Sequence, residues 1–239
     1  MRTIARIDIK NESVIKGINL EGLRKIGNPI NIAKEYYIGG IHELLIVDSV
    51  ASLYGRNNLF DLIKKITKNI FIPITLGGGI RSLKDIENAL NSGADKVAIN
   101  SKALEMPKFL NEAILNFGES TIVVNVEAKK INDNKWEPYK FCGRERTNLD
   151  IKDWIDTIQN QGCGEIILTS IDKEGTETGF DIDLIENVYE KIHKPLIISG
   201  GCGKLEDITE VKKKFNNLSI ALASVLHYKI LKIEDIKRL

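Results

Sequence analysis

Two runs that end in an acid carry the first chemical signal in this chain: Ala5-Arg6-Ile7-Asp8-Ile9-Lys10 near the start and Val124-Asn125-Val126-Glu127-Ala128-Lys129 near the middle. Each is a strand-like, β-branched stretch closing on a carboxylate and then a lysine. Two acids in equivalent places are suited to give and take protons across one cavity. Taken singly, either acid is as readily a polar residue that ends a strand. The second signal is glycine. Gly77-Gly78-Gly79 follows an apolar run and precedes a helix that begins near Ser82, an arrangement that lets backbone N–H groups approach an anion. Ser199-Gly200-Gly201 repeats it, and each is followed one strand later by a small polar terminus, Asn100-Ser101 and Ala223-Ser224. The pair points to a substrate with a phosphate at each end; the plainer account is two tight turns. The third signal is charge. Arg2, Glu43, Lys96 and Glu165 stand at or just before the starts of the first, second, fourth and sixth strand-like runs, where a salt-bridge ring closing one end of a barrel is the simplest explanation.

These residues need elements to position them. Short Val/Ile/Leu-rich runs alternate with amphipathic Lys/Glu-rich stretches, the pattern of a parallel sheet with crossover helices. Eight strands are predicted at about 4–9, 43–48, 72–76, 96–100, 121–127, 165–170, 196–199 and 218–223. Helices are predicted at about 29–38, 57–67, 82–92, 107–117, 150–161, 181–192 and 204–215, with a short one from 233. Pro29 and Pro107 suit a first helical turn, and Ser82 and Asp181 suit caps. Eight such units give an α/β fold, either a closed (β/α)8 TIM barrel or a doubly wound open sheet. An internal repeat favours the barrel. The stretch from Pro73 to Gly79, with Leu83 and Asp85, parallels the stretch from Pro195 to Gly201, with Leu205 and Asp207. Glu43-Leu44-Leu45 pairs with Glu165-Ile166-Ile167 at nearly the same offset, as Ser101 does with Ser224 and Asp8 with Glu127. The expectation is one domain, 1–239, of two fused half-barrels, about 1–119 and 120–239.

Two strand-to-helix connections are long, about nineteen residues at 10–28 and about twenty-two at 128–149, and loops of that length in a compact domain are usually functional. In a barrel both lie on the catalytic face, beside Asp8 and Glu127. Trp136, Tyr139 and Phe141 predict that the second packs as a hairpin.

Composition narrows the function classes. The chain has 239 residues, 43% of them hydrophobic, with 34 Lys and Arg against 33 Asp and Glu, so no basic field points to nucleic acid. No apolar run is long enough for a membrane span, and MRTIARIDIK lacks a signal peptide's apolar centre, so a soluble, cytoplasmic protein is expected. Cys142, Cys163 and Cys202 form no Cys-x-x-Cys, and His42, His193 and His227 are scattered, so neither disulfides nor a metal site nor a cofactor is expected.

With these residues in view, the chain resembles the cyclase subunit of imidazole glycerol phosphate synthase from Arg2 to about Tyr228. The matching stretches are Asp8-Ile9-Lys10 with Val14-Ile15-Lys16-Gly17, Asp48 with Ala51-Ser52, Thr75 to Arg81, Gly93 to Val97 with Ile99-Asn100-Ser101, Gly164 to Asp172, and Ser199 to Cys202. The resemblance implies a (β/α)8 lyase that takes a bisphosphorylated ribulosyl aminoimidazole carboxamide precursor and ammonia to imidazole glycerol phosphate and an aminoimidazole carboxamide nucleotide. A separate glutaminase subunit, in a heterodimer, would supply the ammonia. Asp8 matches the family's first catalytic aspartate. Phosphate contacts carry over to Gly79, Asn100 and Ser101 at one end and to Gly175, Gly201, Ala223 and Ser224 at the other. Lys16 matches the lysine of the first loop, and Asp48 and Thr169 match polar pocket residues. Arg2, Glu43, Lys96 and Glu165 match the family's ammonia gate, with Asp95 at the glutaminase interface.

Two positions depart from the family. Its second catalytic aspartate is Glu127 here, and an aspartate of the sixth loop is Glu174. An added methylene moves a carboxylate by roughly 1 Å, and such a displacement can lower a rate by ~10²-fold. These changes favour a competing reading, a paralogue that supplies ammonia to convert an acetamido to an acetamidino group on cell-surface sugars. The two glycine cradles and Asp8 favour the cyclase. A third reading is a silent barrel that only activates a glutaminase. A phosphosugar isomerase of the sister barrel family shares the two-half design but has no use for the charged ring.

Overall fold

The computed structural model describes residues 1–51 and 59–239. Eight parallel strands close into a barrel: β1 (Thr3–Lys10), β4 (Glu43–Asp48), β5 (Ile74–Gly77), β6 (Lys96–Ile99), β7 (Ile122–Asn132), β10 (Glu165–Ser170), β11 (Leu196–Ser199) and β12 (Leu218–Leu222). Each pairs with the next in that order, and Thr3 opposite Ile220 closes the ring between β12 and β1. An open doubly wound sheet would have left two edges unpaired, so the barrel expectation is the one borne out.

The period-2 alternation of a strand sorts β1 into two faces. Ala5, Ile7 and Ile9 point outward into the large apolar layer shared with the helices. Ile4 points inward to a smaller apolar belt with Leu45, Val47, Ala98, Val123, Ile167, Ile197 and Ala221. Arg6 and Asp8, also inward, lie above that belt toward the strand C-termini, and both are buried. The barrel is therefore filled, with charge below the belt and charge above it.

The helices follow the sequence signals closely. Pro29–Ile38 starts at a proline behind Asn28, whose side chain accepts from the Ile30 and Asn31 N–H groups. Leu83–Asn91 begins in a capping box formed by Ser82 and Asp85, and Asp181 caps Ile182–Tyr189 by accepting from Leu184 N–H at 3.1 Å. That last helix ends three residues earlier than expected, at Tyr189. Phe60–Thr67 is the described part of the second predicted helix; its expected start at Asn57 lies outside the described residues. Two short helices, Ser101–Glu105 and Ser224–His227, were not anticipated; at four or five residues they are too brief to show periodicity.

The two long connections are both hairpins. After β1 the chain forms β2 (Ser13–Ile18) and β3 (Glu21–Gly27), an antiparallel pair that folds over the top of β1. After the barrel part of β7, the strand continues to Asn132 and turns into β8 (Lys135–Lys140), with β9 (Glu145–Arg146) beside it. The aromatic residues behave as expected: Trp136 is 1% exposed and Tyr139 is buried. Buried Glu137 fastens the hairpin by accepting from Arg146 Nε at 3.1 Å and Arg146 Nη2 at 2.9 Å.

Candidate active site

Because β1 and β7 both present their last inward residue at the strand C-termini, Asp8 and Glu127 face the same end of the lumen. Each is more than nine-tenths buried, yet their surroundings differ. Burial alone would push the Asp8 carboxyl upward, but the Arg6 guanidinium, whose Nε donates to Asp8 Oδ1 at 3.0 Å, and Lys16 together hold it below its ordinary value. Glu127 accepts from Asn100 Nδ2 at 3.1 Å, Asn125 Nδ2 at 3.3 Å and Gly143 N at 3.0 Å. Those neutral donors and the nearby Arg6 offset only part of its burial, and Glu127 is pushed up to about 7. One acid is thus kept ionised and the other is half-protonated near neutrality, a division of labour suited to acid–base work.

Three cavities cross this face in a row. The first, about 70 Å³, is lined by Gly77, Gly78, Gly79, Arg81, Asn100 and Ser101, and reaches Glu127 and Asp48. The second, about 30 Å³, holds Asp8, Lys16, Glu127, Arg144 and Glu174 under the β2–β3 hairpin. The third, about 10 Å³, is bounded by Lys16, Glu174, Gly175, Gly201, Ala223 and Ser224. Glu127 belongs to the first two and Lys16 and Glu174 to the last two, so the three adjoin through shared walls, with glycine turns at both ends of the row.

The ends are unequal. Gly78 has φ +89°, and a Cβ there would stand 2.3 Å from the Asp48 carbonyl oxygen, so only glycine lets this turn approach β4. The far end is nearly full. Glu174 pairs with Lys16 inside it, and the Glu174 Oε2 atom lies 3.1 Å from where a Cβ on Gly200 would be. What remains beside Gly201 and Ser224 is about the volume of one water, while a wider cavity of about 540 Å³, lined by Arg24, Thr176, Glu177 and Tyr228, adjoins it at Lys16 and Gly175. Burial lowers the Lys16 ammonium to about 8, although Asp8 opposes the shift. The hairpin that carries Lys16 is also pinned there by Asn19 N–H, which donates to the Glu174 carbonyl at 2.7 Å.

The remaining expected residues divide. Asp48 Oδ1 accepts from Val50 and Ala51 N–H at 3.0 and 2.9 Å, so one edge of that carboxylate shapes the loop after β4. The Ser101 hydroxyl accepts from Phe141 N–H at 3.0 Å, joining the first cradle to the second hairpin. Thr169 is wholly buried and lines none of the three cavities; its hydroxyl accepts from Arg6 Nη1 at 3.1 Å. At the opposite end of the barrel the charges form a closed cycle. Glu43 meets Arg2 at 3.3 Å and Lys96 at 3.0 Å, and Glu165 meets Arg2 and Lys96, each at 2.8 Å. Asp95 is exposed beside it, accepting from Ile74 N–H at 2.8 Å.

Arg6, Asn125 and Gly143 were missed from sequence. Arg6 sits in a run read for its terminal acid, but its inward parity with Asp8 was a usable signal. Gly143 had none, since only the folding back of the second hairpin brings its N–H to Glu127. Gly78→Ala is expected to cost at least about 2 kcal/mol, from the left-handed backbone and the contact with Asp48. A urea midpoint unchanged from that of the parent would remove the close approach as a constraint.

Among proteins of known family, residues 2–232 match the model described as histidine biosynthesis protein. A Legionella pneumophila protein named imidazole glycerol phosphate synthase subunit HisF is 49% identical over 207 residues, covering 87% of this chain and 98% of its own length. A Bacillus cereus (strain G9842) protein of the same name is 40% identical over 237 residues, covering 99% of this chain and 94% of its own.

Proposed function

The chain belongs to the histidine biosynthesis protein family, and we propose that it acts as the ammonia-dependent cyclase subunit of imidazole glycerol phosphate synthase. The observation that carries this reading is the row of adjoining cavities: glycine cradles at its ends, and between them one ionised and one protonatable carboxylate. An elongated substrate with a phosphate at each end suits it. One phosphate meets the backbone of Gly79 with Asn100 and Ser101. The other meets Gly175, Gly201, Ala223 and Ser224, which requires the Glu174 carboxylate to withdraw; its partner Lys16 is then free to face the phosphate.

The chemistry follows from the acid pair. Ammonia adds to a substrate carbonyl, which needs a base for the proton shed by nitrogen and an acid for the oxygen that leaves as water. Asp8, held ionised by Arg6, is the base, and Glu127 is the acid. The same pair then serves cleavage to the aminoimidazole carboxamide nucleotide and closure of the imidazole ring. At the opposite end, Arg2, Glu43, Lys96 and Glu165 form the gate through which ammonia enters from a glutaminase subunit docked near Asp95. Above the gate, the apolar belt passes neutral ammonia and disfavours ammonium. The same reading treats the chain as one domain of two fused halves, about 1–119 and 120–239.

The test is direct. The purified chain, given the bisphosphorylated ribulosyl intermediate and an excess of ammonium salt at a pH near 7, is expected to release the carboxamide nucleotide. No release by folded protein would overturn the reading, and an acetamido-sugar acceptor would be assayed next. A pH profile checks the assignment within it. At constant free ammonia, kcat/KM is expected to fall as pH rises above about 7, where Glu127 loses its proton. Glu127→Gln is expected to be slow and to lack that inflection. An unchanged inflection in the variant would assign it to another group.

A further inference from the structure

The residue that the functional reading leaves over is Arg6. Its guanidinium is 2% exposed and reaches across the lumen from β1 to β10 and β11, one inward position above Ile4 of the apolar belt. Nε donates to Asp8 Oδ1 at 3.0 Å, and Nη1 donates to Thr169 Oγ1 at 3.1 Å and to Ser199 Oγ at 3.4 Å. Three anchors on three strands hold the plane still. Arg6 also lines both the first and the second cavity, so it forms the floor between the first cradle and Asp8. A cation this deep is costly to desolvate, and Asp8 and Glu127 are the charges beside it that compensate.

Its height in the barrel gives it a task. Anything that has crossed the apolar belt from below emerges next to this guanidinium, with the acid pair on either side. Addition of ammonia to a carbonyl turns a neutral oxygen into an alkoxide, and that charge is best met by donors fixed beforehand in a dry site.

We propose that Arg6 is a catalytic residue of the addition step, whose guanidinium N–H groups bind the oxygen of the carbonyl that ammonia attacks. The inference rests on the ammonia-dependent reading above. The nitrogen lone pair forms the C–N bond while the C=O π pair moves onto oxygen, where Arg6 donates to it. The nitrogen gives up a proton to Asp8. Glu127 protonates the oxygen, the proton now on Asp8 follows it and releases the oxygen as water, and the nitrogen returns its second proton to Glu127, so both carboxyls are restored. The product is the imine, with no oxidant or reductant required. Arg6 itself stays protonated throughout, since the neighbouring carboxylates outweigh the effect of its burial. It is a hydrogen-bond donor to the developing charge, not a proton source.

The experiment measures ammonia-dependent turnover of the intact chain and of Arg6→Lys and Arg6→Ala. Removing one oxyanion donor lowers kcat by ~10²–10³-fold. Arg6→Lys keeps the charge and loses the planar fork, and it is expected to lose ~10²-fold in kcat with little change in KM for the bisphosphate and an unchanged far-UV spectrum. Arg6→Ala is expected to recover part of its rate on addition of guanidinium chloride at millimolar concentration, and none with sodium chloride. A merely structural counter-ion to Asp8 would show neither the kcat-against-KM split nor the rescue. If Arg6→Ala does not fold, Arg6→Lys alone decides. Turnover by Arg6→Lys within threefold of the parent overturns the proposal. Absence of turnover by the parent chain instead overturns the cyclase reading, so the two failures are distinguishable.

Discussion

Asp8→Asn is expected to lose ~10²–10⁴-fold in ammonia-dependent turnover, the range for removal of a positioned general base. Asparagine preserves the volume, and its Oδ1 can still accept from Arg6 Nε, as Asp8 does at 3.0 Å. The variant is therefore expected to fold and to retain binding of a bisphosphate, because neither glycine cradle includes residue 8. The charge is what disappears. Asp8 ordinarily raises the Glu127 carboxyl through like-charge repulsion and draws on the Arg6 guanidinium. With Asp8 neutral, Arg6 acts on Glu127 alone, and the Glu127 carboxyl is expected to titrate below its parent value of about 7. Carbon-13 NMR of glutamate side chains reads that movement without turnover. Full activity in Asp8→Asn would remove it from the mechanism. Lost activity with an unmoved Glu127 would show that the two acids are not electrostatically coupled through this site.

Glu43→Ala is expected to produce the largest loss of stability among single changes at the charged ring. The Glu43 side chain is 4% exposed, against 38% for Arg2, 15% for Lys96 and 13% for Glu165. It accepts from three residues: Arg2 at 3.3 Å, Lys96 at 3.0 Å and Thr75 Oγ1 at 2.8 Å. Removing one member of a buried ionic network strands its partners, at a cost of about 3 kcal/mol. Arg2 and Lys96 are partly solvated and both keep Glu165, which sets the estimate at the lower end of that range. For a chain of this length the change corresponds to a fall in Tm of roughly 10 °C. Glu43→Gln, which can still accept from Thr75, is expected to lose less. A Tm for Glu43→Ala within about 2 °C of the parent would mean that the ring contributes little to stability. In the gate reading the same variant uncouples glutamine-dependent from ammonium-dependent turnover, so the two assays separate a stability role from a channelling role.

Much of the fold was legible because its signals are local. Strands at Glu43–Asp48, Glu165–Ser170 and Leu196–Ser199 and the helix Pro29–Ile38 fall where the apolar runs and the proline place them. Strand β7 runs past its expected end to Asn132 because its outer half pairs with β8, a partner that no local pattern reveals. The hairpin at Ser13–Gly27 was seen only as a long loop, since its polar strands are stabilised by each other and by the loop after β10.

The sequence by itself determined the inventory: eight apolar strands, two acids at matching strand ends, two glycine turns, and four charges at strand starts. Period-2 alternation and the half-chain repeat were enough to put the acids on one face and the ring on the other. Only the tertiary structure decided how those groups act on one another. That Asp8 is kept ionised follows from an arginine fixed in the lumen by Thr169 and Ser199, and that Glu127 rises to about 7 follows from burial which the same arginine only partly offsets. That one glycine cradle stands open while the other is filled by Glu174 and Lys16 follows from two loops meeting over the barrel. Electrostatic energies depend on distance and desolvation, and both are set by residues far apart in the chain.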